Sequence, residues 1–381
     1  MNDQERLSKL KEALASVHGV DAATYERLMR QIGQSSQPFG YDPDGKLRVA
    51  FFDAKSYDRA SFDQTASDRV AWQYIPASLT RDTTGAAENC KVVCIFVNDS
   101  CDESVVEALK SQGVEMIALR CAGFNNVDLD ACQRHSVSVT RVPAYSPYAV
   151  AEHSVALMLM LNRKLHQAYV RNRAGYFLLD GLTGFDMRGK VVGVVGTGTI
   201  GKCLADILLG FGCRVIAYDK HPNPDLVDRS GVTYHDMKNL LAESDIISLH
   251  VPLVPDTRYL IDDEAIAKMK SGAMLINTSR GGLVDSKALI RGLKSGKIGA
   301  AGLDVYEEEA GIFFHDRSTE ILTDDVLARL MTFSNVVITS HQAFLTHEAL
   351  SGIASTTLSN IHEFLDGRRG GELTNSVSAT S

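Results

Sequence analysis

Four segments of this chain end short apolar runs, which is where an open parallel α/β sheet places the groups that meet a ligand. Arg280 stands in Ile276-Asn-Thr-Ser-Arg280-Gly281-Gly282, among small residues that keep the backbone close. An arginine so placed can clamp a carboxylate with two parallel N–H donors, although a lone arginine after a strand is more often a surface cation. His341 stands in Thr339-Ser-His341-Gln-Ala-Phe344. An isolated histidine is more often structural, but one beside a carboxylate at a strand end is a general acid/base candidate. Gly302-Leu-Asp304-Val-Tyr-Glu-Glu-Glu309 supplies carboxylates, and its acidic run also reads as a solvated loop. In Arg120-Cys-Ala122-Gly123, the turn at Ala122 and Gly123 can offer two backbone N–H groups to an anion. Glu152 and His153 are a competing pair, but neighbours on a helix point in different directions. They read as packing and interdomain polar contacts.

A second chemistry is written in Val191-Val-Gly-Val-Val-Gly196-Thr-Gly198-Thr199-Ile200-Gly201. An apolar strand enters a glycine-rich turn that opens a helix, with Ile200, Leu204, Ile207, Leu208 and Phe211 at helical spacing. Gly196 permits the tight turn, Gly198 lets the backbone approach a pyrophosphate, and Gly201 lets helix and strand pack closely. The helix start offers free N–H groups to phosphates. Asp219, ending the next apolar run, can accept both ribose hydroxyls of an adenosine. These features imply a nicotinamide dinucleotide, and the Asp219 charge favours NAD over NADP.

The elements that must position these residues follow a strand–helix–strand rhythm. Strands are expected at 47–52, 71–75, 91–96, 115–119 and 137–141, then at 191–195, 214–218, 245–250, 273–277, 300–304 and 335–339. Near-continuous apolar runs of this kind suit parallel sheets covered on both faces. The stretch 146–167 has helix character without a breaker and is expected to cross between domains. A helix over 343–365 is expected to return to the first. Residues 1–46 read as an appendage, with one amphipathic helix through Leu7, Leu10, Leu14 and Val17 and a linker ending at Asp42-Pro-Asp-Gly45.

At 381 residues the chain is too long for one ordinary core. The expected division is 47–145 and 341–381 for a substrate domain, with 146–340 as a nucleotide domain inserted into it. A net charge of −8 without a basic tract implies no nucleic acid partner. The longest strongly apolar run, 155–161, is far short of the roughly 20 residues that span a bilayer, so no membrane partner is expected. Seven cysteines, without a Cys-x-x-Cys pair, suit a reducing cytoplasmic setting, and none has an adjacent base that would make it a nucleophile. No His/Cys cluster has metal-ligand spacing, so no metal is expected.

In this order the motifs resemble the D-isomer-specific 2-hydroxyacid dehydrogenase family. The resemblance rests on Arg120-Cys-Ala-Gly-Phe-Asn-Asn-Val-Asp, Val142-Pro-Ala-Tyr145-Ser-Pro, Gly196-Thr-Gly-Thr-Ile-Gly, Ser248-Leu-His250-Val-Pro252, Asn277-Thr-Ser-Arg280-Gly-Gly and Leu303-Asp304-Val-Tyr-Glu. It covers about residues 47–364 and implies two doubly wound parallel-sheet α/β domains, a Rossmann NAD domain inserted into a flavodoxin-like substrate domain. It further implies that Arg280 binds the substrate carboxylate, His341 is the acid/base, and Glu309 is its carboxylate partner. Asp304 would lie near the nicotinamide carboxamide. Thr199, Ile200 and Asp219 would hold the adenosine half of NAD, with Val251, Pro252, Thr257 and the Thr278–Ser279 backbone completing the cofactor site. Phe96, Tyr145 and Phe344 would surround a small substrate methyl group. The segment from Glu307 through Arg317-Ser318 is similar to the D-lactate dehydrogenase subgroup, which implies pyruvate and D-lactate as substrates and a homodimer or homotetramer. Two other readings remain open: a reductase of bulkier 2-keto acids, and a NAD-sensing corepressor-like binding protein.

Overall fold

The structure, a computed structural model, describes residues 38–65 and 67–379. The helix expected near the chain start lies outside the described residues. The turn at its end is seen: the Asp42 carboxylate accepts the amides of Asp44 (3.0 Å) and Lys46 (2.7 Å), closing the loop before the first strand.

The chain divides into two compact units, one formed by residues 1–145 with 350–381 and one by 146–349. The second is thus inserted into the first along the chain. In the first unit the strands are β1 (Leu47–Phe51), β2 (Val70–Tyr74), β3 (Val92–Ile95), β4 (Met116–Leu119) and β5 (Ser138–Thr140). They pair in the order β2-β1-β3-β4-β5, all parallel, which is the flavodoxin-like arrangement. Between them run α1 (Ser56–Gln64), α2 (Glu103–Ser111) and α3 (Leu129–Arg134). Helix α2 starts where the Asp102 carboxylate accepts the Val105 amide, and it buries Val105, Val106 and Leu109.

The second unit begins with α4 (Pro147–Asn162) and α5 (Leu165–Arg173). The sequence predicts one uninterrupted helix here, and the structure breaks it at Lys164, whose φ is +50°. Tertiary contacts explain the break. The Asn162 side chain both donates to and accepts from the Phe185 backbone at 2.8 Å, and Lys164 donates to the Thr183 carbonyl. These bonds tie the helix end to a distant segment and turn the chain. Helix α4 lies wholly within this unit rather than crossing between the two.

The sheet of this unit contains β6 (Val191–Val195), β7 (Arg214–Tyr218), β8 (Val232–Tyr234), β9 (Ile246–Leu249), β10 (Ala273–Asn277), β11 (Ile298–Leu303) and β12 (Val336–Ile338). Its order is β12-β11-β10-β9-β6-β7-β8, all parallel, the Rossmann arrangement with the strand order reversing between β6 and β9. Strand β8 was not expected; three residues with one buried side chain are too short to show a period. Val192, Val194, Ile246 and Ile276 pack on one face with Leu157 and Leu204, while Val195, Ile247 and Leu275 pack on the other with Leu240 and Leu289. Burial on both faces is why these strands read as unbroken apolar runs. At about 1.5–3 kcal/mol per buried aliphatic side chain, the two faces make this sheet a rigid support for the loops at its edge.

Candidate active site

Strands β6 and β9 end side by side, and their following loops meet. Gly196 has φ +97°, and a Cβ there would lie 2.5 Å from the His250 carbonyl oxygen and 2.9 Å from Val251 Cγ1. A Cβ on Gly201 would lie 1.9 Å from the Gly196 oxygen. Both positions therefore require glycine, one for its backbone angle and one for close approach. Gly198 differs: a Cβ there would meet nothing within 4 Å. Open space lies in front of the start of α6 (Thr199–Gly210), where the Thr199, Ile200 and Gly201 amides begin the helix. A pyrophosphate fits that space and that polarity.

Asp219 ends β7 and braces the same turn. Its Oδ2 accepts the Thr197 amide (2.6 Å) and hydroxyl (3.1 Å), and its Oδ1 accepts the His221 amide (2.9 Å). The Tyr234 hydroxyl, from β8, donates to Thr197 Oγ1 at 3.0 Å. The carboxylate is partly exposed at the strand tip, as a ribose-binding group must be. Residues 251–257 are shaped by side chains: Ser279 Oγ donates to the Val251 oxygen (2.6 Å), and Thr257 Oγ1 donates to the Pro252 oxygen (2.7 Å). Thr278 is anchored to α4 through Ser154 at 2.8 Å. His250 bonds Ser248 Oγ at 2.8 Å, and burial of its ring pulls its pKa down to about 4. The expected cofactor residues of this unit, Asp304 aside, thus surround one turn, and NAD fits it.

The acid/base candidate stands on the loop after β12. Glu309 Oε1 lies 2.8 Å from His341 Nδ1, while Glu309 Oε2 accepts the Tyr306 amide at 3.0 Å. Because the carboxylate can only accept, Nδ1 carries the hydrogen and Nε2 is the nitrogen left to exchange a proton with a substrate. Both groups are about four-fifths covered, at 17% and 20% exposure, so the pair is shielded yet reachable. Phe314 packs against the imidazole with ring centroids 5.9 Å apart. Arg280 follows β10, partly exposed; its Nη1 donates to the Ser279 oxygen (2.7 Å) and its own carbonyl accepts from Asn277 Nδ2 (2.9 Å).

The backbone under His341 is strained. Ser340 has φ +49° and His341 φ +58°, angles that cost about 1–3 kcal/mol each without glycine. Asp304, fully buried, holds them there. Its Oδ1 accepts the Thr339 hydroxyl (2.6 Å) and the Gln342 amide (2.8 Å), its Oδ2 accepts the Ala343 amide (3.0 Å), and its carbonyl accepts the His341 amide (2.5 Å). Burial alone would raise the Asp304 pKa, but His153, Thr339 and the Ala343 amide outweigh it and hold the carboxyl below its usual range. Its oxygens are thus engaged by the turn that carries His341, a role the sequence did not reveal. His153, read from sequence as an interdomain contact, bonds Thr339 within the second unit at 3.0 Å.

The remaining expected substrate residues divide between the units, with Phe344 in the second and Phe96, Ala122, Gly123 and Tyr145 in the first. The Ala122 carbonyl accepts from Arg141 (3.1 Å) and the Gly123 carbonyl from Cys121 Sγ (3.2 Å). Sequence reasoning missed what positions them. Arg120 is fully buried, donates to the Asp53 carbonyl (3.0 Å), and lays its guanidinium over Phe51 (4.3 Å) and Phe96 (5.0 Å). Asp99 accepts the amides of Phe96 and Leu79, each at 2.6 Å, and burial raises its pKa to about 6. The only sequence signal was a charged residue ending an apolar strand. All seven cysteines are buried free thiols, and burial raises Cys90 to about 11, which keeps it unreactive.

Comparison with known proteins agrees with this site. Residues 155–343 match the family model of the D-isomer specific 2-hydroxyacid dehydrogenase NAD-binding domain. A D-lactate dehydrogenase of Escherichia coli is 49% identical over 316 residues, spanning 83% of this chain and 96% of that protein. The solved pyruvate reductase of Chlamydomonas reinhardtii is 48% identical with a TM-score of 0.81, covering 86% of this chain and 98% of that one. A D-lactate dehydrogenase solved with NAD+ from Lactobacillus jensenii is 32% identical with a TM-score of 0.72, covering 87% and 100%. With these identities over most of both chains, the protein belongs to the D-isomer specific 2-hydroxyacid dehydrogenase family.

Proposed function

We propose that this chain reduces pyruvate to D-lactate, and reverses that reaction, with NAD as its coenzyme. The observation that carries the reading is the His341 Nδ1–Glu309 Oε1 pair at 2.8 Å, on the same unit as Arg280 and the dinucleotide turn. Arg280 holds the 2-keto acid by its carboxylate, where a planar fork matches two oxygens. His341 Nε2 hydrogen-bonds the ketone oxygen and gives up its proton as the oxygen gains charge. Glu309 keeps the imidazole in the required tautomer and orientation. NAD, held by the residues of the dinucleotide turn, would supply the hydride chemistry at the carbonyl carbon when bound. In the reverse direction neutral His341 takes the hydroxyl proton of D-lactate. The same reading gives the Ala122 and Gly123 amides to the substrate carboxylate, and Phe96, Tyr145 and Phe344 to its methyl group.

A donor placed where the alkoxide develops supplies much of the acceleration in such a site. Initial rates with NADH test the reading, across pyruvate, phenylpyruvate, hydroxypyruvate, glyoxylate and oxaloacetate. The highest kcat/KM is expected with pyruvate and the product is expected to be the D isomer. A preference for phenylpyruvate would replace the substrate, and no turnover with any of the five would overturn the enzymatic reading.

The same proposal extends to a cytoplasmic homodimer or homotetramer. Tyr169, Val170, Phe177, Leu178 and Leu179 are each more than 60% exposed or close to it, an apolar face that a second copy would cover. Light scattering of the purified chain decides the assembly. Among the described residues, no helix is long and apolar enough to cross a membrane.

A further inference from the structure

We propose that His153 is a positioning residue for His341, acting through the Thr339 hydroxyl and the Asp304 carboxylate. The inference rests on His341 being the acid/base of the reading above. It starts from a hydrogen count. Thr339 Oγ1 lies 2.6 Å from Asp304 Oδ1, and a carboxylate oxygen can only accept, so the single hydroxyl hydrogen points to Asp304. His153 Nε2 lies 3.0 Å from the same Oγ1, whose hydrogen is already committed. His153 must therefore donate, which fixes a hydrogen on Nε2. That nitrogen is also 3.4 Å from Asp304 Oδ1.

The result is a directed network: His153 donates to Thr339, Thr339 donates to Asp304, and Asp304 also accepts the Gln342 and Ala343 amides that directly follow the strained turn. His153 comes from α4, while Asp304, Thr339 and His341 come from loops at the ends of β11 and β12. A helix thus fixes where the carboxylate points, and the carboxylate fixes a turn that Ser340 and His341 would otherwise leave for a relaxed backbone. Removing the His153 donor frees the Thr339 hydroxyl and the Asp304 oxygen to rotate. The imidazole then spends less of its time facing substrate, although nothing that binds the coenzyme has changed.

The test compares His153→Leu, which has no donor, with His153→Gln, which keeps an N–H at similar reach. His153→Leu should lower kcat with pyruvate by about tenfold or more while the NADH dissociation constant stays within about twofold. His153→Gln should recover most of the loss. Thr339→Val should lower kcat similarly, and the double variant His153→Leu/Thr339→Val should be no worse than the poorer single one, because both cut the same network. Unchanged kcat in a folded His153→Leu chain, equal losses in the Leu and Gln variants, or multiplying losses in the double variant would each overturn the proposal. The unmodified chain and His341→Gln are run alongside. Turnover in the first and none in the second means that only the role of His153 is on trial. If the unmodified chain turns over nothing, the ring resonances of His341 in ¹⁵N-histidine-labelled protein decide instead, with His341→Gln used for assignment. They should move in His153→Leu and return in His153→Gln, and immobility in both would overturn the proposal.

Discussion

Two turns of the second unit solve the same problem in opposite ways. Each must hold an unusual backbone beside a ligand. The dinucleotide turn does so with glycine: Gly196 adopts φ +97° freely, and Gly201 makes room for the chain to fold back on itself. The turn that carries His341 puts Ser340 and His341 in left-handed angles and relies on Asp304 to keep them there. The first gets its backbone angles from the glycines themselves, with Asp219 bracing Thr197, and the second from a buried carboxylate 37 positions before His341. A ligand that needs only backbone N–H groups can be met by a glycine turn. A reaction that needs an imidazole at one place cannot use glycine there, so the strain has to be offset by distant contacts.

The largest expected break in this comparison is His341→Gln. It keeps the turn's backbone demand but removes the proton donor, so kcat should fall by roughly 10²–10⁴ in both directions. NADH affinity, read by fluorescence titration, should stay near the native value, because the dinucleotide turn is built separately. Retained turnover would move the acid/base role to another residue.

The loop facing the dinucleotide turn carries a buried ionisable ring, and acid should find it. The His250 pKa near 4 in the folded chain lies below the unfolded value of about 6.5. Between those values the unfolded chain binds more protons, so stability rises with pH across that window and is lost as pH falls through it. The loss should amount to about 2–4 kcal/mol between pH 6.5 and 4, measured by urea unfolding. His250→Gln should flatten that part of the curve; an equally steep curve would assign the acid sensitivity elsewhere.

Gly201→Ala probes the close approach alone, since Gly201 sits in a helical backbone that alanine also favours. The 1.9 Å conflict with the Gly196 oxygen should push α6 off the strand. The expected cost is about 1–3 kcal/mol in NADH binding or stability, with kcat at saturating NADH affected least. The smallest effect is expected for Ser340→Gly. Relief of the left-handed angle and the added freedom of the unfolded chain act in opposite directions, so stability should change by less than about 1 kcal/mol. A thermal melt showing a large loss would mean that Ser340 is held by its side chain and not merely tolerated in its angle.

The contrast also marks what could be read without a structure. Strand positions in the second sheet were legible because residues 192–195, 215–217 and 273–277 are buried on both faces and carry no polar alternation to confuse them. The glycine turn and Asp219 were legible because their spacing is local. The break at Lys164 was not, since it is imposed by Asn162 and Lys164 bonding to residues 183–185. Neither was Arg120, whose partners Asp53 and Asp99 come from the loops after β1 and β3 and whose partner Asp58 comes from the first turn of α1.

The sequence by itself determined two parallel α/β layers, the dinucleotide turn, and a short list of side chains at strand ends. Short-range spacing carries that information, because period, glycine placement and strand length are local properties. Only the tertiary structure decided which of those side chains act together. Residue spacing alone left Glu309 as one acid among three and only the family resemblance paired it with His341; the structure puts its oxygen 2.8 Å from His341, and Asp304 and His153 gained their places through contacts made across β11, β12 and α4. Such contacts join residues from separate elements, and no local pattern records them, since the energy that holds them comes from packing the whole unit.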